Sequence, residues 1–430
     1  MNYSETIEFL FNSFPLYQNI GAGAYKEGLG NINAMCTLLG NPERNFFTIH
    51  VAGTNGKGSV AHSIAAVLQS AGYCVGLFTS PHLVDFRERI RVDGEMIGEQ
   101  AVTNFVARYR DEMMRLGLSF FEMTTAMAFD YFSESDVEVA VIETGMGGRL
   151  DATNVITPIL SVITNIGRDH MQFLGDTIGE IAAEKAGIIK HEVPVVVGES
   201  DPESSPVFMA KASQMEAPIV FADCEWTVME RVRYADHDRY SIQRPRDGRT
   251  QEIDFDLQGE CQARNIVTIR TAISVLRHQT HLNISTRALL TGLASVAATT
   301  GLRGRWQKIG ERPLTICDAG HNAHAIKYIA GQLADLHPAA LHIVWGMVAD
   351  KDVDAVARLM PREAHYYFTA ASVRRAMPAA ELAARFAASG LHGEVVEGVG
   401  QAVERARAAA APDDVIFIGG SCFVVADLLK

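Results

Sequence analysis

Short apolar runs alternate with helix-type repeats through the first half of the chain. The runs are rich in Val, Ile and Phe and predict buried strands at residues 45–51, 74–78, 137–142, 159–164 and 194–197. Apolar residues at helical spacing predict helices at residues 4–13, 57–71, 122–132 and 176–186. Strands separated by helices are typical of a parallel sheet with helices on both faces. The pattern therefore predicts an α/β domain.

A different pattern covers residues 217–257, where short alternating runs are separated by Asp, Arg and Gly. This pattern predicts an antiparallel, β-rich region within the first domain. Helices are predicted to follow at residues 262–277 and 286–297.

Strand and helix patterns alternate again after residue 305. The predicted strands are residues 314–317, 341–345, 364–368, 394–396 and 415–418. This alternation predicts a second, smaller α/β unit of the Rossmann-like type. We therefore expect two domains, residues 1–298 and 299–430, and a length of 430 residues also favours more than one domain.

Charge and cysteine content narrow the class of protein. The net charge of −13 argues against non-specific nucleic-acid binding, because phosphate contacts need surplus Lys and Arg. The six cysteines form no CxxC pair, which is typical of reduced thiols and favours a cytoplasmic protein. The N-terminal residues lack the pattern of a signal peptide, and no apolar run is long enough to span a membrane. We therefore expect small-molecule partners, with no nucleic acid and no membrane.

The first chemical signal is the segment HVAGTNGKGS at residues 50–59, between a predicted strand and a predicted helix. Its glycines let successive N–H groups face a phosphate, and Lys57 at the helix start adds a positive charge. The strict P-loop pattern requires Gly at position 51 and Ser or Thr at position 58, where this chain has Val51 and Gly58. The segment thus predicts a phosphate site that differs from the standard P-loop. The alternative is a plain glycine-rich turn.

The segment GTNGKGS at residues 53–59 resembles the nucleotide loop of folylpolyglutamate synthases, and its TNGK core is similar to that of Mur ligases. Further blocks resemble the same family in order and spacing. They are TSPHL (79–83), RERI (87–90), FEMTT (121–125), ETGMGGRLDATN (143–154), DH (169–170), EKAGI (184–188), GR (304–305) and DAGHN (318–322). The chain is thus identified as a member of the dihydrofolate synthase/folylpolyglutamate synthase family of the Mur ligase superfamily. One departure is Arg303, where family members often have Pro.

The resemblance implies a Mur-ligase-like P-loop ATPase domain with a parallel sheet, then a smaller Rossmann-like C-terminal α/β domain that holds glutamate. It implies ATP and Mg²⁺ as cofactors, with two metal ions expected. The nucleotide contacts that it implies are Thr54, Asn55, Gly56, Lys57, Gly58, Ser59, Asn265, Arg305 and Asp318. Independently of the resemblance, Asp318 closes a predicted buried strand, and the carboxyl ends of such strands are where α/β sheets bind ligands.

Glu143 also ends a predicted buried strand. Magnesium prefers a few protein oxygens together with waters and substrate phosphates, so a carboxylate at this edge suits it. The resemblance implies Ser80, Glu143 and His170 as magnesium ligands. Imidazole is not a favoured magnesium ligand, so the alternative for His170 is a hydrogen-bonding role beside the site.

Lys185 lies in a helical pattern that, taken alone, indicates a solvent-facing lysine. The resemblance implies instead that this lysine is carbamylated, which would turn a cation into an anion able to support a second magnesium ion. By resemblance, the expected catalytic residues are Lys57, Lys185 and His321.

Substrate contacts are expected from the FEMTT block and from three other segments. The expected substrate residues are Phe121, Glu122, Thr124, Thr125, Asp151 and Ser421, and the segment YKEGL (25–29) is expected on the pterin side. For Phe120, Phe121 and Met123, which together offer an apolar wall for a flat pterin, the alternative is packing in the core.

The implied reaction is the ATP-dependent ligation of L-glutamate to dihydropteroate, to reduced folate (poly)glutamates, or to both. The folate-side carboxylate attacks the γ-phosphate to give an acyl phosphate, and after domain closure the glutamate amine displaces phosphate. We expect a monomer.

Four alternatives stay open at this point: a Mur-type ligase acting on another carboxylate, folylpolyglutamate synthase activity only, a P-loop kinase or NTPase, and a non-catalytic nucleotide-binding homologue. The nucleotide loop begins near residue 50, which leaves little room for the UDP-binding domain of a Mur ligase proper. Val51 and Gly58 argue against a P-loop kinase.

Overall fold

The computed structural model describes residues 1–14 and 28–430. The chain divides into two compact units. The first comprises Met1–His82, Phe86–Leu257 and Gln262–Leu302, and the second comprises Leu83–Asp85, Gln258–Cys261 and Arg303–Lys430. The segment 25–29, which we expected on the pterin side, lies largely outside the described residues.

An eight-stranded sheet forms the centre of the first unit. Its strands are β1 (Phe47–Ala52), β2 (Val75–Phe78), β3 (Ile90–Val92), β4 (Glu95–Met96), β5 (Val139–Glu143), β6 (Leu160–Ile163), β7 (Val195–Val197) and β8 (Ile219–Phe221). They lie in the order β4-β3-β2-β5-β1-β6-β7-β8. The six strands from β2 to β8 in that order are parallel, and β3 and β4 extend the sheet by antiparallel pairing.

Helices cover both faces of this sheet. They are α1 (Tyr3–Ser13), α2 (Gly30–Leu38), α3 (Lys57–Ser70), α4 (Glu99–Leu116), α5 (Phe120–Glu134), α6 (Met171–Leu174), α7 (Ile178–Ala186) and α8 (Ser205–Gln214), with 3₁₀ turns at Pro42–Arg44, Phe86–Arg89 and Ala152–Val155. Val141 packs in the cluster that contains α3, and Ile142 packs in the cluster that contains α5. Successive residues of one strand are thus buried on opposite faces, which is why the central strands are mostly apolar in sequence.

A three-stranded antiparallel sheet follows within the first unit. Its elements and the helices around it are α9 (Ala222–Glu225), β9 (Thr227–Arg233), β10 (Asp238–Gln243), β11 (Thr250–Phe255), α10 (Gln262–Gln279), α11 (Thr286–Leu293) and α12 (Val296–Thr300). The strand order is β11-β10-β9. Residues 219–221, which lie inside the predicted antiparallel region, instead form β8 and pair in parallel with β7.

The second unit contains a six-stranded sheet in the order β12-β13-β17-β14-β15-β16. Its strands are β12 (Gln307–Glu311), β13 (Leu314–Asp318), β14 (Leu341–Trp345), β15 (His365–Phe368), β16 (Gly393–Val395) and β17 (Val415–Gly419). Its helices are α13 (Ala323–Asp335), α14 (Val353–Ala357), α15 (Ala379–Ala387), α16 (Val399–Ala409) and α17 (Cys422–Leu429). All strand pairs are parallel except that of the edge strand β12 with β13.

The predicted fold class, two α/β units built on mainly parallel sheets, is confirmed. Among the helices of the described residues, none combines the length and the apolar character needed to cross a lipid bilayer.

Candidate active site

The nucleotide loop connects β1 to α3 at the carboxyl edge of the first sheet. Gly53 has φ +148° and Gly56 has φ +82°, and residues that carry a Cβ rarely adopt these backbone conformations. Lys57 is the first residue of α3, and its Nζ donates to the carbonyl oxygens of Gly53 (3.0 Å) and Thr54 (3.2 Å). The ammonium group of Lys57 therefore lies against the backbone of the loop. A phosphate bound there would contact both this charge and the N-terminus of α3.

The end of β6 fixes the conformation of this loop. The Thr54 N–H donates to Asn165 O (2.9 Å), and the Asn55 N–H donates to Asn165 Oδ1 (3.0 Å). In the other direction, the Thr164 hydroxyl donates to Asn55 O (2.6 Å). Thr164 and Asn165 were not among the predicted site residues. The signal that could have found them is a Thr-Asn pair that directly follows a buried strand next to the loop.

Replacing Gly53 by alanine is expected to weaken ADP binding more than tenfold, because a Cβ at this position would lie 1.8 Å from Thr164 Oγ1. The loop would have to move, and φ +148° adds strain for a residue with a side chain. Titration with ADP measures the effect. Gly98→Ala is the matched control, because a Cβ added there would meet no atom within 4 Å and the φ of Gly98 is −66°. An ADP affinity of Gly53→Ala within about threefold of the wild type would contradict this role for the glycine.

Asn265, in α10, lies beside the same loop at Gly56. Its Nδ2 donates to Gln262 Oε1 (2.8 Å), and Gln262 Nε2 lies 3.4 Å from Ser59 Oγ. A Cβ on Gly56 would lie 2.5 Å from Asn265 Oδ1, so the two residues are in direct contact. The structure thus brings Asn265 to the predicted nucleotide residues 54–59.

Two of the three predicted magnesium ligands lie together at the ends of adjacent strands. Glu143 is the last residue of β5 and is 3% exposed, and Ser80 follows β2. The Ser80 N–H donates to Glu143 Oε2 (3.2 Å). A buried carboxylate fits a hard cation that completes its shell with water and phosphate oxygens, and the N–H contact brings the backbone of Ser80, the second predicted ligand, to it. Within the described ranges, no group of three or more His, Cys, Asp or Glu side chains is placed to hold a metal on its own.

His170, the third predicted ligand, lies in the segment after β6. It has φ +53° and precedes α6, and its backbone N–H donates to Asp169 Oδ1 (2.9 Å). Its Nε2 lies 3.9 Å from Asp169 Oδ2. This arrangement gives the imidazole a carboxylate neighbour, which suits the hydrogen-bonding alternative as well as metal binding.

Lys185 is buried in α7 rather than facing solvent. It is 4% exposed, and its Nζ donates to Gly53 O (2.8 Å), the same carbonyl that Lys57 contacts. Burial lowers the pKa of the Lys185 ammonium to about 7, and the positive charge of Lys57 acts in the same direction. The two predicted catalytic lysines of this unit therefore meet at one backbone oxygen of the nucleotide loop.

The FEMTT block forms the start of α5, and most of its polar atoms bond within the helix. Glu122 closes a capping box with Ser119, accepting from the Ser119 N–H at 2.7 Å. The hydroxyls of Thr124 and Thr125 donate to the carbonyls of Phe120 (2.6 Å) and Phe121 (2.8 Å). These three predicted substrate residues are buried, and so is Met123.

Phe121 differs from the rest of the block because it is partly exposed. Its ring lies 5.7 Å from that of Phe78, and a Cβ on Gly145 would lie 2.6 Å from its Cζ. Phe121 thus covers the backbone that follows Glu143 and is the member of the block best placed to contact a substrate ring.

Asp151 holds the loop that follows Glu143 through hydrogen bonds to its backbone. It is buried, and its carboxylate accepts from the Met146 N–H (2.9 Å), the Thr153 N–H (3.0 Å) and the Thr153 hydroxyl (2.5 Å). Burial raises its pKa, and these hydrogen bonds oppose that rise. Both carboxylate oxygens of Asp151 accept hydrogen bonds from within the loop. The geometry therefore supports a role for Asp151 in holding the loop more directly than it supports the predicted contact with substrate.

The predicted residues of the second unit cluster at the carboxyl ends of β13 and β17, which are neighbours in the sheet. Asp318 accepts from the N–H groups of Trp306 and Gly320, both at 2.7 Å. Burial raises the pKa of Asp318, while the nearby Arg305 guanidinium opposes that rise. His321 Nδ1 donates to Ala319 O (3.0 Å), and Ser421 caps α17 by accepting from the Val424 N–H (3.2 Å).

Comparison with known proteins identifies the family of the chain. The model of the Mur ligase middle domain matches residues 51–272, and that of the Mur ligase glutamate ligase domain matches residues 304–422. The dihydrofolate synthase/folylpolyglutamate synthase of Bacillus subtilis is 32% identical over 94% of this chain and 95% of its own length. A probable bifunctional folylpolyglutamate synthase/dihydropteroate synthase of Haloferax volcanii is 34% identical over 99% of this chain, which spans 50% of that longer protein.

Solved structures of similar proteins contain nucleotides. Escherichia coli FolC in complex with DHPP and ADP has a TM-score of 0.86 and 29% identity, covering 100% of this chain and 97% of the other. A bifunctional folylpolyglutamate synthase/dihydrofolate synthase from Yersinia pestis, complexed with AMPPNP and a Mn ion, has a TM-score of 0.84 and 26% identity, covering 100% and 97%. The chain therefore belongs to the dihydrofolate synthase/folylpolyglutamate synthase family of Mur ligases.

Proposed function

We propose that this protein is an ATP-dependent ligase that joins L-glutamate to dihydropteroate, to reduced folate (poly)glutamates, or to both. One observation carries the proposal: Lys57 and Lys185 both donate to the Gly53 carbonyl. This carbonyl lies at the same sheet edge as the carboxyl ends of the strands that precede Ser80 and end at Glu143. The family supports the choice of substrates, since its relatives are named for these two activities.

Phosphoryl transfer is the first step of the proposed reaction. The folate-side carboxylate attacks the γ-phosphorus of ATP, the bond to the β-phosphate oxygen breaks, and an acyl phosphate and ADP form. The loop N–H groups and Lys57 hold the transferring group and stabilise its charge. Magnesium held by Glu143 and Ser80, with His170 as a further candidate, would neutralise phosphate charge at this edge of the sheet.

Amide formation is the second step. The neutral amine of glutamate attacks the acyl carbon, phosphate leaves, and the amine loses a proton. We propose that the unit from residue 299 onward supplies Arg305 and Asp318 to the nucleotide and Ser421 to the amino acid, with His321 near the reacting groups. The clustering of these residues at the ends of β13 and β17 supports this assignment.

On the folate side, we propose that the domain of residues 1–298 binds the pterin with Phe121 as part of its wall. The partial exposure of Phe121 beside Gly145 supports this choice over Thr124 and Thr125, whose hydroxyls bond to their own helix. We further propose that the enzyme acts as a monomer in the cytoplasm, and the six free cysteines support a reducing compartment.

A substrate panel tests the proposed function. ADP release and product formation are measured with dihydropteroate and with tetrahydrofolate monoglutamate, each with and without L-glutamate. We expect glutamate-dependent turnover with both substrates. Turnover with reduced folate but not with dihydropteroate would leave a folylpolyglutamate synthase, and turnover with neither substrate would refute the proposal.

A further inference from the structure

The side chain of Thr54, in the nucleotide loop, bonds to the segment that follows β6. Its hydroxyl donates to Gly167 O (3.1 Å) and accepts from the Gly167 N–H (3.0 Å). A threonine hydroxyl has one hydrogen to donate, and this one is directed to Gly167. The Thr54 N–H is directed to the same segment, where it donates to Asn165 O (2.9 Å). Both hydrogen-bond donors of Thr54 are thus engaged by residues 165–167 and not by a phosphate.

Gly167 depends on this hydroxyl more than the nucleotide loop does. On the loop side, the backbone is also held by the Thr54 N–H bond to Asn165 O, the Asn55 N–H bond to Asn165 Oδ1 and the Thr164 hydroxyl bond to Asn55 O. On the Gly167 side, the N–H and the carbonyl both bond to Thr54 Oγ1. Removing the hydroxyl would therefore take a partner from two backbone groups of Gly167, while the loop keeps three hydrogen bonds.

The segment that Thr54 holds in this way carries a candidate metal ligand. Asp169 and His170 follow Gly167 closely in the chain, and the His170 N–H donates to Asp169 Oδ1 (2.9 Å). His170 has φ +53°, a conformation that is uncommon for residues other than glycine. The position of its imidazole therefore depends on how the backbone before it is held, and the Thr54 hydroxyl holds that backbone at Gly167.

We infer that Thr54 is a positioning residue for the metal site. Its hydroxyl fixes the backbone at Gly167, and this backbone places His170 for metal binding. The role differs from the nucleotide contact that the family resemblance implies for Thr54. The inference rests on the proposed function in taking the ligands of this sheet edge to be an adenine nucleotide and a divalent metal ion.

Two substitutions at position 54 separate the hydroxyl from the rest of the side chain. Thr54→Val nearly keeps the shape of the side chain and removes the hydroxyl, whereas Thr54→Ser removes a methyl group and keeps the hydroxyl. Mn²⁺ is the probe metal, and its binding is measured by electron paramagnetic resonance in the presence of ADP. ADP binding is measured separately, by titration in a chelator that removes divalent metal ions.

We expect Thr54→Val to lower Mn²⁺ affinity about tenfold, as is typical when a group that orients a metal ligand is lost. Thr54→Ser should stay within about threefold of the wild type, because it keeps the hydroxyl that bonds to Gly167. ADP affinity without metal should change less than about threefold in both variants, since the loop keeps its other hydrogen bonds. Thr103→Val, which removes a hydroxyl that donates to Glu99 O in α4, is the matched control and should leave both affinities unchanged.

A second substitution tests whether Thr54 acts through His170. His170→Ala removes the imidazole and should lower Mn²⁺ affinity at least about tenfold. In a protein that already carries His170→Ala, adding Thr54→Val should change Mn²⁺ affinity by less than about threefold, because the group that Thr54 positions is gone, whereas independent effects would multiply. An unchanged Mn²⁺ affinity in His170→Ala would contradict the inference.

Three further results would overturn the inference. They are a Mn²⁺ affinity of Thr54→Val equal to that of the wild type, effects of Thr54→Val and His170→Ala that multiply, and a loss of metal-free ADP affinity in Thr54→Val as large as its loss of Mn²⁺ affinity. The last result would indicate that the hydroxyl contacts the nucleotide. Thermal unfolding of each variant reports on folding, and if Thr54→Val does not fold, Thr54→Ala carries the same test with the same expected results.

The two proposals can fail separately, because Mn²⁺ and ADP titrations need no ligase turnover. The expected pattern of Mn²⁺ binding in a protein without activity on pteroate or folate would reject the proposed function alone. Glutamate-dependent turnover in a protein whose Mn²⁺ affinity does not respond to Thr54→Val would reject the positioning role alone.

Discussion

Lys57→Ala is expected to lower glutamate-ligase turnover by more than a hundredfold, equivalent to about 2.7 kcal/mol of activation free energy. Lys57 Nζ already lies within the nucleotide loop, held by the carbonyl oxygens of Gly53 and Thr54. A charge that is fixed before the substrate arrives stabilises the transferring phosphoryl group without reorganisation, and alanine removes it. Initial rates at saturating ATP and glutamate measure the loss.

The fold should survive this substitution, because Lys57 begins α3 and the hydrophobic residues that anchor the helix lie further along it, as with Ile64 and Val67. Thermal unfolding of the variant checks this point. Lys211→Ala, a change of the same type on α8, is the control and should keep wild-type turnover. If turnover of Lys57→Ala stays within about tenfold of the wild type, or about 1.4 kcal/mol, the loop has been assigned the wrong role.

The parallel strands of the core could be predicted from the sequence because burial on both faces leaves a run of mostly apolar residues. This holds for β1, β5 and β6, which occupy the middle of the first sheet. The edge strands β4 and β12 were not predicted, because they are partly exposed and carry no such run. For the same reason β8, a three-residue edge strand with no fully buried residue, was grouped with the antiparallel region that follows it.

Site residues could be predicted where the local sequence pattern alone places them at the end of a strand or the start of a helix. Lys57 at a helix start and Glu143 and Asp318 at strand ends are such residues, since local pattern places each at a ligand-binding edge. Asn165 also follows a buried strand, but the sequence does not show which loop it contacts, because that depends on which strand ends lie side by side in the sheet. The burial of Lys185 could not be predicted from helical spacing either. That spacing does not show that the side chain, which belongs to α7, reaches the Gly53 carbonyl in the nucleotide loop.

Carbamylation of Lys185 remains a prediction, and the structure supplies a physical reason for it. A carbamate forms when a neutral amine adds to CO₂ and releases a proton, so the amine must first be uncharged. With a pKa of about 7, the Lys185 amine is mostly neutral slightly above pH 7, whereas an ordinary lysine is neutral in roughly one molecule in a thousand there. The product is an anion, which turns the repulsion between Lys185 and Lys57 into attraction.

Lys185→Ala is therefore expected to lose at least a hundredfold in turnover, and a short carboxylate such as acetate or formate should restore part of it. Carbamate formation is expected to increase as pH rises through about 7, because the neutral fraction of the amine increases over that range. Carbon-13 NMR in ¹³C-bicarbonate should show a carbamate signal in the wild type that is missing in Lys185→Ala and present in Lys211→Ala. An active wild-type enzyme without this signal, at saturating bicarbonate and slightly alkaline pH, would show that Lys185 works as an unmodified amine.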